Sequence, residues 1–272
     1  MRVSAETKEQ FLAALLVPQA ELVYLDSGFT DPQQYAALAE KAHAAGKRAG
    51  LRLPQIWRTE ADRFFQKNAD TIKHAGFDAF LLRQIEGLGF LEQAGLLQTA
   101  ELVLDYTIYD FNGFADAMLT SLYKPAFAGN ARRTFPLELN SRELCAEGKR
   151  FLAQGTETEL VVYGRIPMMV SAQCIRKTSI GCDKKPVCMT LSDRTGARLP
   201  VKNCCRFCYN VIFNSLPTML FDFDTELDKI PHTAERYEFT TESGETVTKI
   251  LTGQEKPGQG NFTRGYWKRG IQ

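Results

Sequence analysis

Six of the seven cysteines in this sequence lie in one segment, between positions 174 and 208. The spacing Cys174-x7-Cys182-x22-Cys205-x2-Cys208 forms two pairs, the second of which is a CxxC motif. Four thiolates can bind zinc tetrahedrally or hold a [4Fe–4S] cluster, and spacing alone does not choose between the two. Clustering of this kind, in a chain with no evident export signal, favours ligation over a disulfide framework. We therefore predict that these four cysteines come together at a metal or iron–sulfur site.

The remaining cysteines and the nearby basic residues leave alternatives open. Cys188 or Cys204 could replace a predicted ligand, whereas the isolated Cys145 lies in a helical pattern typical of a small buried hydrophobe. A zinc ion could also serve only to fasten a long polar loop.

The segment that contains the cysteines is also strongly basic. From Arg176 to Arg206, eight basic residues stand against two acidic ones, a local net charge of +6. That charge would either hold phosphates or offset the negative charge of four thiolates.

A second set of chemically capable side chains falls near the ends of predicted strands: Asp26, Arg83, Asp105, Glu138, Asn140, Arg165 and Glu238. We take Asp105, Glu138, Asn140 and Arg165 as candidate catalytic residues. Three of them also have structural interpretations. Asn140 could cap the next helix, Asp105 could pair with an arginine, and Arg165 could close the barrel through hydrogen bonds.

Short β-type runs alternate with amphipathic helical segments at intervals of roughly 25 to 30 residues, which is the pattern of βα units. The predicted strands are 2–4, 22–26, 48–53, 78–83, 101–106, 134–139, 160–165 and 236–241. Eight such units predict a (β/α)8 TIM-type barrel, in which the carboxyl ends of the strands converge. An open, doubly wound sheet is the alternative.

The alternation breaks after Arg165, where about 70 residues rich in Cys, Lys, Arg and Pro precede the last strand. We predict one barrel domain over residues 1–272, with residues 166–235 forming a metal-binding insertion between the seventh and eighth strands. In a barrel such an insertion leaves the C-terminal face, where barrel enzymes keep their chemistry. The cysteine site is therefore expected at that face, beside Arg165 and facing Glu138.

Composition restricts the possible functions. A chain of 272 residues with 44% hydrophobic residues suits a single barrel, and its net charge of +1 provides no global field for nucleic acid or membrane. No stretch approaches the ~20 apolar residues needed to span a bilayer, and the polar start of the chain is unlike a signal peptide, so we expect a cytoplasmic protein. With three histidines and no HExxH, GxSxG or phosphate-binding loop, known catalytic motifs are missing.

Several sequence runs resemble the peptidase U32 family, also called collagenase-like proteases. They are VVYGRIPMMVSAQC, LSDRTGARLPV, CxxCYN, FNSLP, RYEFTTES and TRGYWKRG. More narrowly, the chain is similar to the carboxy-terminal barrel of longer members that contain two such regions. The resemblance covers most of the chain, and its specific motifs lie between Tyr163 and Gly270.

The resemblance implies two kinds of activity. Some members are described as metal-dependent, collagen-degrading proteases, whereas others are oxygen-independent hydroxylases of transfer RNA, ribosomal RNA or a quinone precursor that use a four-cysteine [4Fe–4S] cluster. The hydroxylases place one cluster cysteine seven positions before a second. Here Pro167 stands seven positions before Cys174, so the CxxC pair would supply the missing sulfurs.

We therefore predict oxygen-independent hydroxylation of RNA or another aromatic substrate. The alternatives are a metal-dependent peptidase and a non-catalytic barrel of a longer protein. Expected partners are RNA or a peptide, bound through the basic patch, and other domains of a longer chain. In the tail, Arg264, Lys268 and Arg269 could hold phosphates while aromatic side chains stack on bases. Alternatively, Trp267 is buried and Arg264 pairs with a carboxylate.

Overall fold

The computed structural model describes residues 1–124, 129, 131–255 and 260–269. Its strands are β1 (Arg2–Ala5), β2 (Leu22–Asp26), β3 (Arg48–Arg52), β4 (Ala79–Leu82), β5 (Glu101–Leu104), β6 (Arg132–Thr134), β7 (Thr158–Gly164), β8 (Pro167–Ser171), β9 (Cys188–Ser192), β10 (Arg198–Cys204), β11 (Tyr209–Phe213), β12 (Thr218–Met219) and β13 (Ala234–Phe239). Its helices are α1 (Lys8–Leu15), α2 (Tyr35–Ala44), α3 (Thr59–Lys67), α4 (Ala69–Lys73), α5 (Glu86–Gln93), α6 (Gly113–Tyr123), α7 (Ser141–Ala153), α8 (Ile175–Ser179), α9 (Asp224–Leu227) and α10 (Gly244–Leu251).

Eight parallel strands close into a barrel. Pairing runs from β13 through β1 to β6 in chain order, and β7 completes the ring by pairing with both β6 and β13. Helices lie between successive strands, as the amphipathic segments predicted. The (β/α)8 barrel is therefore confirmed and the open sheet is wrong. Within the described residues, no helix is long and apolar enough to cross a membrane.

The sixth strand is the one whose position the sequence misplaced. It spans Arg132–Thr134 instead of 134–139, and Pro136 follows it closely. A proline cannot donate to a ladder of backbone hydrogen bonds, so the apolar run after Thr134 leaves the sheet. Two adjacent charged residues, Arg132 and Arg133, are typical of a loop in the sequence. In the structure both side chains are buried, because each forms ion pairs with carboxylates.

Inside the barrel, buried ion pairs take the place of part of the usual apolar filling. Glu159 is fully buried and accepts from Arg2 at 2.8 Å and from Arg236 at 2.9 Å, one arginine at each carboxylate oxygen. The hydroxyl of Tyr24 adds a third donor at 2.9 Å. Because each buried charge has an opposite partner and hydrogen bonds, the cost of removing it from water is offset.

The insertion between β7 and β13 contains a four-stranded antiparallel sheet of its own, in the order β8-β11-β10-β9. It docks on the C-terminal mouth of the barrel through long polar side chains. Lys202 reaches the Glu6 carboxylate and the Thr240 carbonyl, each at 2.5 Å. Arg206 donates to the carbonyls of Ser27 and Thr30, in the loop after β2. The insertion therefore covers part of the mouth.

Candidate functional site

The four predicted ligands line one cavity of about 640 Å³. Cys174 is the residue before α8, and Cys182 lies in the loop that follows this helix. Cys205 and Cys208 lie in the turn between β10 and β11. All seven cysteines of the chain are free thiols. The two pairs, separated by more than twenty residues in sequence, thus face the same space.

The turn that carries Cys205 and Cys208 is fixed by its neighbours. Phe207 is buried and stacks on Phe65 of α3, with ring centroids 5.8 Å apart. Cys208 has a left-handed backbone (φ 58°), which costs a residue with a side chain about 1 kcal/mol or more. Arg58 donates to the Cys208 carbonyl at 2.9 Å and helps to hold this conformation. Burial of Phe207 therefore leaves the two cysteines on either side of it at the cavity.

The thiols influence one another electrostatically. Burial, together with the negative charge of Cys174 and Cys182 as thiolates, raises the pKa of the Cys205 thiol, while Arg176 opposes this effect. Several thiolates close together repel one another unless a cation lies between them. A metal ion or cluster bound by these sulfurs would remove that repulsion.

The chemistry of the donor set fits a metal centre bound by thiolates. Four cysteines with soft sulfur atoms line the cavity, and the side-chain amide of Asn203 donates to Cys174 Sγ at 3.4 Å. The backbone N–H of Lys177 approaches the same sulfur at 3.5 Å. Hydrogen bonds of this kind are typical around metal-bound sulfur. In the described part of the chain, no three His, Cys, Asp or Glu side chains are gathered closely enough to count as a metal-binding group.

The other cysteines are poorer ligands. Cys204 also borders the cavity but is 1% exposed, and burial followed by the charge of Asp26 raises the pKa of its thiol to about 12. Cys188 is exposed on β9 and does not line the cavity. Cys145, in α7, donates its thiol to the Lys229 carbonyl at 3.3 Å. The geometry therefore favours the four predicted cysteines over these three.

The cavity lies at the C-terminal mouth of the barrel, as expected, but on a different side of it. Gly28 and Phe29, which follow β2, line it together with Glu60 and Arg63 of α3. Arg165 instead lines a separate, narrow cavity near the ends of β6 and β7. Neither Arg165 nor Glu138 lines the cysteine cavity, so the structure does not bring these two predicted residues into the site.

Three predicted catalytic residues have structural roles. Asn140 caps α7 by accepting from the backbone N–H groups of Arg142 and Glu143, which confirms its structural interpretation. Arg165 donates to Thr241 and to the carbonyls of residues 214 and 215. Through these hydrogen bonds, Arg165 ties the insertion to the end of the last barrel strand instead of closing the barrel itself.

Asp105 is buried between two arginines, as its structural interpretation supposed. It pairs with Arg236 through one oxygen and with Arg83 at 3.2 Å through the other. Burial alone would raise the pKa of Asp105, but the two guanidinium groups lower it below its usual value. Asp26 pairs likewise with Arg52 at 2.7 Å. Both carboxylates are held in ion pairs.

Glu138 differs from the other predicted catalytic residues. It is half-buried, and burial raises the pKa of its carboxyl group although backbone N–H groups oppose the shift. One of its oxygens, Oε2, is buried without a hydrogen-bond partner among the described residues. A carboxyl group whose pKa is raised keeps its proton to a higher pH than an ordinary glutamate does, which is a property of groups that transfer protons. Glu138 therefore stays a candidate for proton transfer.

The basic patch is divided between structural and accessible cations. Lys202 and Arg206 dock the insertion, and Arg176 pairs with Asp183 at 2.6 Å. Lys177 and Lys184 line the cysteine cavity. Some of the local charge therefore stabilises the fold, and some lies beside the thiols.

The tail adopts the alternative, structural arrangement. Trp267 is 6% exposed, and Arg264 pairs with the Asp222 carboxylate while lying over the Phe223 ring. Gly270, the last residue of the TRGYWKRG run, lies outside the described residues.

Sequence reasoning missed Asn203 and Lys202. Both stand directly before the CC pair in the run RLPVKNC, which forms β10 and has no polar–apolar alternation that would have marked them.

No protein-family model matches the sequence, and no curated protein matches it. Among solved structures, an uncharacterized B. cereus protein aligns at 10% identity with a TM-score of 0.47, over 92% of this chain and 65% of that one. D-psicose 3-epimerase, solved in the presence of D-fructose, aligns at 9% identity with a TM-score of 0.39, over 96% and 92%. The Bacillus cereus spore cortex-lytic enzyme SleL aligns at 10% identity with a TM-score of 0.36, over 96% and 74%. This chain spans just under two thirds of the first of these proteins, and the barrel assignment rests on strand pairing alone.

Proposed function

We propose that this chain binds a [4Fe–4S] cluster or a zinc ion through Cys174, Cys182, Cys205 and Cys208, at the C-terminal mouth of its barrel. The observation that carries the proposal is that all four sulfur-bearing side chains line one cavity. Cys204 also borders the cavity but is buried, and Cys188 lies away from it, which favours these four cysteines as the ligands.

We further propose that the reaction is oxygen-independent hydroxylation of RNA or another aromatic substrate, as the resemblance to the U32 family implies. Support comes from the position of the site at the mouth, where barrel enzymes act, and from the cations beside it. Lys177, Lys184 and Arg63 could hold an anionic substrate over the cysteines. Glu138 could move a proton. A bound cluster would supply one-electron chemistry.

A non-catalytic barrel is the second candidate, favoured by the filling of the mouth. Asp26, Asp105 and Glu238 all pair with arginines, and the insertion covers part of the opening. In that case the metal would only hold the insertion in shape. The metal-dependent peptidase stays a prediction, since it requires a metal-bound water at an open coordination position.

Purification without oxygen, followed by metal analysis and an absorption spectrum, tests the proposal. We expect about one zinc or four iron atoms per chain. Cys205→Ser should lower the metal content and the melting temperature, because binding of metal to the folded state contributes to stability. Cys145→Ser is the matched control, since this thiol lies in α7, does not line the cysteine cavity, and donates to a carbonyl group that a serine hydroxyl can also reach.

Unchanged metal content in Cys205→Ser would exclude this residue as a ligand. Absence of metal from the parent protein, even after reconstitution with zinc or with iron and sulfide, would overturn the proposal as a whole.

A further inference from the structure

Two asparagines connect the halves of the cysteine site. Asn203 of β10 and Asn210 of β11 are directly opposite each other in the hairpin that carries Cys205 and Cys208, and both are fully buried. The Asn203 amide donates to the Asn210 side-chain oxygen and to Cys174 Sγ, the latter at 3.4 Å.

Asn210 extends this connection to the loop that carries the first ligand. Its amide donates to the carbonyl of Gln173 at 2.9 Å and to that of Ser171 at 3.4 Å. The pair thus ties the segment ending at Cys174 to the hairpin of the CxxC motif. This buried contact adds to the pairing of β8 with β11 in positioning two ligand segments that are far apart in sequence.

The N–H groups of the Asn203 side-chain amide, and not its oxygen, account for a buried asparagine at this position. Its Oδ1 atom is buried with no hydrogen-bond partner in the described residues. Leaving a buried polar atom without a hydrogen-bond partner destabilises the folded state, a cost that an apolar side chain of the same size would avoid. The N–H groups, by contrast, reach two acceptors, one of which is the Cys174 sulfur.

We propose that Asn203 is a positioning residue of the metal centre, whose N–H···S hydrogen bond orients the Cys174 sulfur and withdraws electron density from it. The inference rests on the proposed function, because it requires Cys174 to be a metal-bound thiolate. Donors to metal-bound sulfur shift reduction potentials and metal affinity. Asn203 would thereby tune the centre without touching the metal.

Cobalt(II) bound to the purified protein provides the test. Asn203→Leu and Asn203→Asp remove this donor, so the sulfur lone pairs rise in energy and the sulfur-to-cobalt charge-transfer band should move to lower energy. Cobalt affinity should fall about 10- to 100-fold. The control is Asn214→Asp, since Asn214 lies in the same insertion and its backbone carbonyl, which the substitution keeps, accepts from Arg165.

Asn210→Asp separates positioning from electronic tuning. It keeps the oxygen that accepts from Asn203 but loses the donors to the Cys174 segment. We expect weaker cobalt binding with little change in the band. A change in melting temperature alone, with both cobalt readouts as in the parent, would assign the asparagines to folding only and overturn the proposal.

NMR of the cadmium-bound parent protein tests the hydrogen bond to Cys174 without any substitution. With an NMR-active cadmium isotope at the site, an N–H···S hydrogen bond transmits scalar coupling from cadmium to the donor proton. We expect such coupling to the Asn203 side-chain amide. Cadmium bound by the four cysteines without this coupling contradicts the role of Asn203, whereas failure to bind cadmium or cobalt at all contradicts the metal centre itself.

Discussion

At the residue scale, Asp110 shares the guanidinium group of Arg133 with a second carboxylate. Arg133 donates to Asp110 at 2.8 Å and to Asp116 at 2.7 Å, and Asp110 Oδ1 is buried without a partner in the described residues. Burial, followed by the charge of Asp116, raises the pKa of Asp110 to about 6. The folded state therefore holds a proton that the unfolded chain releases at lower pH.

The sign of the pH dependence follows from this difference. Because the folded pKa lies above the ordinary value of 3.8, stability is lost as the pH rises from about 4 through about 6. Asp110→Asn cannot ionise and keeps an oxygen facing Arg133, so it should exceed the parent in free energy of unfolding by about 1–3 kcal/mol at pH 7.5. Urea denaturation at pH 4 and pH 7.5 measures the effect.

Asp70→Asn is the control, because Asp70 is exposed on α4 and its substitution should change little at either pH. A variant Asp110→Asn that is less stable than the parent at pH 7.5 would show that the negative charge helps the Arg133 network more than its burial costs.

At the scale of elements, the insertion depends on a few long polar side chains for its position. Lys202 of β10 is 9% exposed and lies over the Phe29 ring while it pairs with Glu6. The buried ion pair between Lys202 and Glu6 therefore joins the small sheet to the loop between β1 and α1.

Lys202→Met tests this connection. Removing one partner of a buried ion pair leaves Glu6 with Arg52 as its remaining cation, at 3.0 Å, and we expect a loss of about 3 kcal/mol in the free energy of unfolding. Hydrogen exchange should accelerate in β8–β11 more than in the barrel strands. Lys185→Met, at an exposed position of the same insertion, should have neither effect. Equal protection of the small sheet in parent and variant would contradict the docking role.

At the scale of the whole molecule, charge is balanced overall but not locally. The net charge is +1, and the carboxylates within the barrel are matched by buried arginines. On the insertion, the exposed residues Lys177 and Lys184 border the cysteine cavity. If an anionic partner such as RNA binds, this surface is where it should contact the protein.

Binding of structured RNA at two salt concentrations tests the partner. The charge-reversed variant Lys184→Glu, Lys185→Glu should lose about tenfold or more in affinity at low salt and show a shallower salt dependence, because each phosphate contact releases counterions. The control is Lys41→Glu, Lys73→Glu, on the outer helices α2 and α4. Undetectable binding by the parent at low salt, or equal binding by the charge-reversed variant, would refute the RNA proposal.

The sequence by itself determined the barrel and the identity of the four candidate ligands. Strand and helix periodicity are local properties of the chain, so seven of the eight strands were placed correctly to within a few residues. Cysteine spacing is likewise local. Tertiary structure alone decided that Arg132 and Arg133 belong to a strand, that the site lies over β2 and α3, and that Asn203 reaches Cys174. Those features depend on partners far away in sequence, as with Arg2 and Glu159, 157 residues apart, whose pairing no local pattern records.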